Sequence, residues 1–387
     1  MSMTSRPTQS QSQTRFGLWR RIKALFLPAD NASQSSLSQV SGGRRSFRAF
    51  VTSRKTLPIG AALLGFALVG AVASRLLLPE SEALPRNNAI WLDRAWTYDN
   101  QGADQLNAAV AEMGANGIGK IYAYVSTLGL AGRWEVGMDG RSFMDSRADI
   151  SDFVAAVRSA DGSLAVYAWV EIWTHDNTAD GYRLDDESLH EHIADFSKIL
   201  VDQLGFDGLL LDIKPMFTDN GDVISLIRRV RSAIGLEKPI GIAVTADLTP
   251  HNLRTQDIAA IAPGTMWTDN FKKRVMVSAD EVVLMLYQSY RQQTQDYVEW
   301  VAYHIETYVN LLETTTEVYA SIPHYASASA AHNPAIETMT TALQGVSQGL
   351  QRLGEDSRSL LTGVAIYTDR RLSESDWGAY REAWLPS

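Results

Sequence analysis

The residues of this chain best suited to chemistry are carboxylates that close short apolar runs, together with one lysine. Glu171, Asp212 and Asp247 each lie near the end of such a run, and Lys214 follows Asp212 two positions later in Phe206-Asp207-Gly208-Leu209-Leu210-Leu211-Asp212-Ile213-Lys214-Pro215. A strand that turns from aliphatic to charged at its C-terminal end marks a site in a barrel of parallel strands. Tyr124, Trp169, Trp173, Tyr287, Tyr325 and Tyr367 lie in comparable runs. Aromatic faces stack on sugar rings and carboxyl groups serve glycosidic oxygens and hydroxyls, so this residue set suits a carbohydrate. Glu171 and Asp212 form the natural acid/base pair, with Asp247 as a substitute second member. Asp93 and Asp369 read as ligands for hydroxyls or a cation.

Positioning these groups requires eight strands. From Asn88 onward, apolar β-branched and aromatic runs alternate with helix-patterned segments. The strands are read as Ala89 to Thr97, Lys120 to Thr127, Leu164 to Trp173, Gly208 to Lys214, Ile240 to Leu248, Val282 to Tyr287, Val318 to Tyr325 and Gly363 to Asp369. Helices are predicted near 103–115, 149–159, 186–203, 221–233, 294–313 and 335–353, with a weak helical stretch near 256–260. Ser373, followed by Glu374 and Asp376, opens a last helix that runs to Trp384. Strands separated by helices pair in parallel through right-handed crossovers, and eight such units close into a (β/α)8 TIM barrel. Period-two alternation turns Tyr167, Trp169, Glu171 and Trp173 inward, with Gly208, Leu210, Asp212 and Lys214 beside them. The same parity places Asp93, Tyr124, Ser126, Asp247, Tyr287, Tyr325, Tyr367 and Asp369 on the inner side.

The charge is unevenly spread. Residues 1–56 hold ten Lys/Arg against the single acid Asp30, and the whole chain carries −9, which with Arg75 leaves −19 on residues 80–387. An acidic globular part argues against nucleic acid as a partner. Residues 57–74 contain no charge and continue through Arg75 to Leu78, enough to span a bilayer as a transmembrane helix over 57–78. Arg44, Arg45, Arg48, Arg54 and Lys55 on its N-terminal side place the N-terminus in the cytoplasm, with a linker at 79–88 and the barrel over 89–387 outside. The basic tail 1–56, rich in Ser and Gln, reads as largely disordered. Ala71-Val72-Ala73 resembles a signal-peptidase site, but the basic leader is far longer than a signal peptide, so an uncleaved anchor in the lipid bilayer is the expectation. The absence of cysteine fits an exported bacterial protein without disulfides.

Metal and cofactor chemistry are not expected. The seven histidines are scattered, and His190 and His192 fall on different faces of a helix. His251 and His324 lie near strand ends, where a loop role outweighs substrate contact. Neither a Gly-x-Ser-x-Gly elbow nor a phosphate-binding Gly-x-x-x-x-Gly-Lys loop is present.

The fourth strand resembles the signature strand of glycoside hydrolase family 18 and its chitinase-like relatives, Asp-Gly-x-x-x-Asp-x-Glu. Phe206-Asp207-Gly208 and Asp212 match, Leu210 replaces a further acid, and Lys214 stands where the family has its proton-donating glutamate. Met285-Leu286-Tyr287 is similar to the family's Met-x-Tyr-Asp, with Gln288 in place of the acid, and Tyr367 takes the place of an aromatic at the floor of the sugar site. Uncharacterised bacterial relatives read Phe-Asp-Gly-x-x-x-Asp-Ile-Glu-Pro there. The resemblance implies a polysaccharide or oligosaccharide partner and a substrate-orienting role for Asp212. A lysine is a poor acid at neutral pH. Three readings follow: hydrolysis with Glu171 or Asp247 as the acid, a glycan-binding or scaffolding pseudoenzyme, and Schiff-base chemistry at Lys214.

Overall fold

The computed structural model describes residues 84–385 apart from 100, 130, 138–139, 175–182, 249–265 and 313–314. The tail, the predicted transmembrane helix, the helical stretch near 256–260 and His251 lie outside the described residues. Among those described, no helix is long and apolar enough to cross a membrane.

Eight parallel strands close into a barrel: β1 (Asn88–Leu92), β2 (Ile118–Leu128), β5 (Ala165–Trp173), β6 (Gly208–Lys214), β7 (Ile240–Thr245), β8 (Glu281–Met285), β9 (Glu317–His324) and β10 (Leu361–Thr368). Closure is direct, since β1 pairs with both β10 and β2. Strands β3 (Trp134–Val136) and β4 (Arg141–Ser142) form an unanticipated antiparallel hairpin that extends the sheet from the end of β2. The connecting helices begin where polar caps predict: Asp186, Asn220 and Thr268 each accept a hydrogen bond from a first-turn amide, and Thr338 and Ser373 form capping boxes. The helix behind Thr268, Asp269–Ser278, was not anticipated.

The first strand is shorter than its apolar run. It stops at Leu92 because the Asp93 side chain accepts a hydrogen bond from Ala95 N and caps a short helix over Arg94–Tyr98. The β2 strand departs from simple alternation. Tyr124 pairs with Trp169 but Ser126 pairs with Val170, so a bulge resets the parity and brings Thr127, not Ser126, to the face of Glu171. The Ser126 hydroxyl instead donates to Glu135 O in the hairpin.

The Asp207-Gly208 pair that opens β6 is explained by packing. Asp207 accepts from Val166 N at 2.9 Å and from Arg158 at 2.8 Å, tying β6 to β5. A Cβ on Gly208 would lie 2.8 Å from Pro239 O and 2.9 Å from the Tyr167 ring, so no larger residue fits. That ring belongs to a plug at the N-terminal end of the barrel. Lys120 pairs there with the buried Glu281 and, at 3.0 Å, with Glu317, under the rings of Tyr167 and Tyr319 at 4.6 and 4.5 Å.

Removing one partner of a buried pair leaves a desolvated charge. Lys120→Met is expected to destabilise the fold by about 3–5 kcal/mol in chemical denaturation. Adding Glu281→Leu should recover much of that loss.

Candidate carbohydrate site

At the C-terminal mouth, β5 and β6 run in register with Glu171 opposite Asp212 and Trp173 opposite Lys214. Lys214 reaches back between the two acids: its Nζ lies 2.7 Å from Asp212 Oδ2 and 3.0 Å from Glu171 Oε1. Asp212 is 1% exposed and Lys214 6%. Trp169 Nε1 donates to Asp212 Oδ2 at 3.2 Å, and Thr127 Oγ1 donates to Glu171 Oε2 at 2.8 Å. With its proton committed to Glu171, Thr127 accepts from the Tyr124 hydroxyl at 2.8 Å, which in turn accepts from Gly137 N of the hairpin at 3.1 Å. The hairpin thus ends a hydrogen-bond chain that begins at Asp212.

Burial opposes the Lys214 charge, but the adjacent Asp212 and Glu171 outweigh it and hold the ammonium well above the usual lysine range. Burial likewise drives the Asp212 carboxyl upward, while Lys214 draws it back. Burial and the charge of Glu171 push the Tyr124 phenol up to about 12, so it remains a neutral donor. Held as an ammonium by the two adjacent acids, Lys214 lacks the free amine that a Schiff base requires.

Aromatic rings line the interior around this cluster. Trp91 meets Trp169 edge-on at 4.9 Å and Tyr367 at 5.7 Å. Tyr367 stacks on Tyr287 at 5.0 Å and 22°, and Tyr325 meets both edge-on at 5.5 and 5.9 Å. Trp173 is half-buried at the rim, its carbonyl accepting from Arg183. Burial pushes the Asp93 carboxyl up to about 6 against the pull of the Ala95 and Trp96 amides, and the negative charge of Asp369 adds to the rise. Asp369 itself lies 3.5 Å from Arg370.

One expected member lies elsewhere. Asp247 follows the end of β7, where strand parity no longer holds. Its side chain pairs with Lys272 at 3.0 Å, and its carbonyl accepts from Trp300 and His304 of the outer helix Thr294–Leu311. His324 is on the outer face of β9, between Thr368 and Asp376, each at 3.1 Å. Sequence reading missed Thr127, hidden by the bulge, and Trp91, which parity with Asp93 would have revealed. Among the described residues, no three His, Asp or Glu side chains gather as metal ligands. His190 instead packs its ring nitrogen against Leu184 O, and His192 stacks on Trp134.

This architecture is an eight-stranded parallel α/β TIM barrel. No protein-family model matches the chain, and no curated protein matches it. Among solved structures, a double mutant of the family 18 chitinase from Cycas revoluta in complex with (GlcNAc)4 is similar over 77% of this chain and 99% of that one, at 13% identity and a TM-score of 0.51. A mutant of a class V chitinase from the same plant, in complex with (GlcNAc)3, is 14% identical over the same shares, with a TM-score of 0.50. At such identities the likeness speaks for the fold alone.

The Asp93 carboxyl gives a pH signature. Between about pH 4 and 6 the folded chain keeps a proton that the unfolded chain has released, so stability falls as pH rises through that window. Urea denaturation across this range should show the decline, and Asp93→Asn, which keeps a capping side chain, should flatten it.

Proposed function

We propose that the barrel binds an oligosaccharide stretch of a cell-wall or extracellular polysaccharide at its C-terminal mouth and holds it without cleaving it. The observation that carries this reading is the position of Lys214 Nζ, 2.7 Å from Asp212 and 3.0 Å from Glu171. Acid/base hydrolysis needs one carboxyl that retains its proton and gives it to the leaving oxygen. The ammonium occupies one oxygen of each acid and is itself too weak an acid to protonate a leaving oxygen. The half-buried rings of Trp173, Tyr325 and Tyr367 offer the aromatic surface on which a sugar ring stacks. The (GlcNAc)4 and (GlcNAc)3 complexes of the Cycas revoluta chitinases support an oligosaccharide as the ligand class.

The reading extends to the cell surface. The apolar run 57–78 anchors the chain in the plasma membrane, its basic N-terminal flank stays in the cytoplasm, and the barrel faces the extracytoplasmic side. Anchoring suits a protein that retains a polysaccharide.

One observation favours a second reading, hydrolysis. Asp93, pushed up to about 6 at the same mouth, is a carboxyl still partly protonated near neutral pH.

Incubation of the purified protein with cell-wall and exopolysaccharide preparations separates the two. Co-sedimentation without release of reducing ends is expected, and Lys214→Met should weaken retention about tenfold or more. Lys214→Glu replaces the ammonium by a third acid, and mutual repulsion keeps one of the three protonated. That variant is expected to release reducing ends slowly. Release by the unaltered chain, abolished in Asp93→Asn, would establish hydrolysis instead.

A further inference from the structure

A buried carboxylate outside the Lys214 cluster binds the segments that follow β8 and β9 at the mouth. Glu337 is 1% exposed and lies just before the helix Met339–Arg352. Its Oε1 accepts from Ser289 N at 3.0 Å and Ser289 Oγ at 2.7 Å. Its Oε2 accepts from Gln288 N at 2.8 Å and His332 Nδ1 at 2.6 Å. Four donors from two loops therefore converge on one side chain.

Each loop carries a tyrosine of the aromatic wall. Gln288 and Tyr290 adopt left-handed φ values of 60° and 58°, which non-glycine residues hold only when their surroundings enforce them. The two amides bound by Glu337 belong to this turn, and Tyr290 N adds a bond to Ala331 O at 2.9 Å. Tyr287, stacked on Tyr367, immediately precedes the turn. On the other loop, the bond to Glu337 sets the plane of His332, whose ring lies 4.0 Å from that of Tyr325 at 25°. Among the described residues, Glu337 makes no hydrogen bond to Asp212, Lys214 or Glu171. It acts on the shape of the mouth, separately from the charged cluster.

We propose that Glu337 is a positioning residue of the glycan site, fixing Tyr287 through the Gln288–Ser289 turn and Tyr325 through His332 to form a rigid stacking wall. This inference rests on the glycan-binding reading above. It makes ring stacking, set by a carboxylate that never touches the sugar, a determinant of affinity.

The test uses the full chain, with (GlcNAc)4 and a cell-wall preparation as probes, and 3-fluorotyrosine labelling read by 19F NMR. Glu337→Gln keeps the volume but turns an amide donor toward groups that themselves donate. It is expected to weaken retention about tenfold and to shift or broaden the resonances of Tyr287 and Tyr325, assigned by Tyr→Phe replacement. In a Tyr325→Ala background the same substitution should cost much less, since part of its effect passes through that ring. Lys120→Met, at the far end of the barrel, should lower stability without changing affinity. If neither probe binds the unaltered chain, the glycan-binding reading falls, and the 19F resonances without ligand still judge Glu337. Unchanged resonances overturn the proposal, as does an affinity loss equal in the Tyr325→Ala background or matched by Lys120→Met. If Glu337→Gln does not fold, His332→Phe, which keeps the stacked ring but removes the bond to Glu337, should displace the Tyr325 resonance and weaken retention. Failure to do either overturns the proposal.

Discussion

One ammonium between two carboxylates is the constraint on which the mouth of this barrel depends. Parallel pairing of β5 and β6 puts Glu171 beside Asp212, and both acids are largely withdrawn from water. Two desolvated carboxylates on neighbouring strands repel each other, and without a counter-charge one of them would take up a proton. Lys214, two residues beyond Asp212 on the same face of β6, supplies that counter-charge from within the strand. Thr127 then satisfies the second oxygen of Glu171, Trp169 adds a bond to the Asp212 oxygen that Lys214 holds, and the β3–β4 hairpin closes the chain of donors through Gly137 and Tyr124. The same contacts that make the cluster affordable in a low dielectric tie up one oxygen of each acid.

The strands that carry the cluster were legible because their chemistry is local. Apolar runs of the right length, period-two alternation and the charged ends of β5 and β6 all reside in consecutive residues, and the structure places Glu171, Asp212 and Lys214 on one face as that alternation dictates. Legibility failed where a longer-range interaction overrode the period. A bulge in β2 exchanged Ser126 for Thr127. A side-chain cap ended β1 at Asp93 and converted the residues after it from strand to helix. Beyond β7, Lys272 drew Asp247 toward the outer helices. Glu337 gave no signal in its own segment, because its four donors come from residues up to 49 positions away.

The motif itself divides into residues that build and residues that face the mouth. Asp207 stitches β6 to β5 and Gly208 makes room for Tyr167, so half of the resemblance to the family 18 strand is a packing requirement of the barrel. Such positions persist whether or not chemistry does. Asp212 and Lys214 answer to the mouth, where Lys214 reverses the charge of the pattern's glutamate, while Leu210 removes a further acid within the strand. A barrel can therefore keep the fold, the strand order and the aromatic lining while its reactivity changes at one residue.

The two ends of the barrel show why location, more than composition, gives these clusters their meaning. At the N-terminal end Lys120 sits between Glu281 and Glu317 among Tyr122, Tyr167 and Tyr319; at the C-terminal end Lys214 sits between Asp212 and Glu171 among Tyr124, Trp169 and Tyr367. In residue type the clusters are nearly the same. At the N-terminal end, tyrosine rings approach the ammonium itself, as in a structural plug. At the C-terminal end, where barrel enzymes place their ligands, the rings stack chiefly on one another. A lysine bridging two acids is thus no functional signal alone. At the mouth it lies beside Tyr367, which stacks on Tyr287 next to the turn that Glu337 binds.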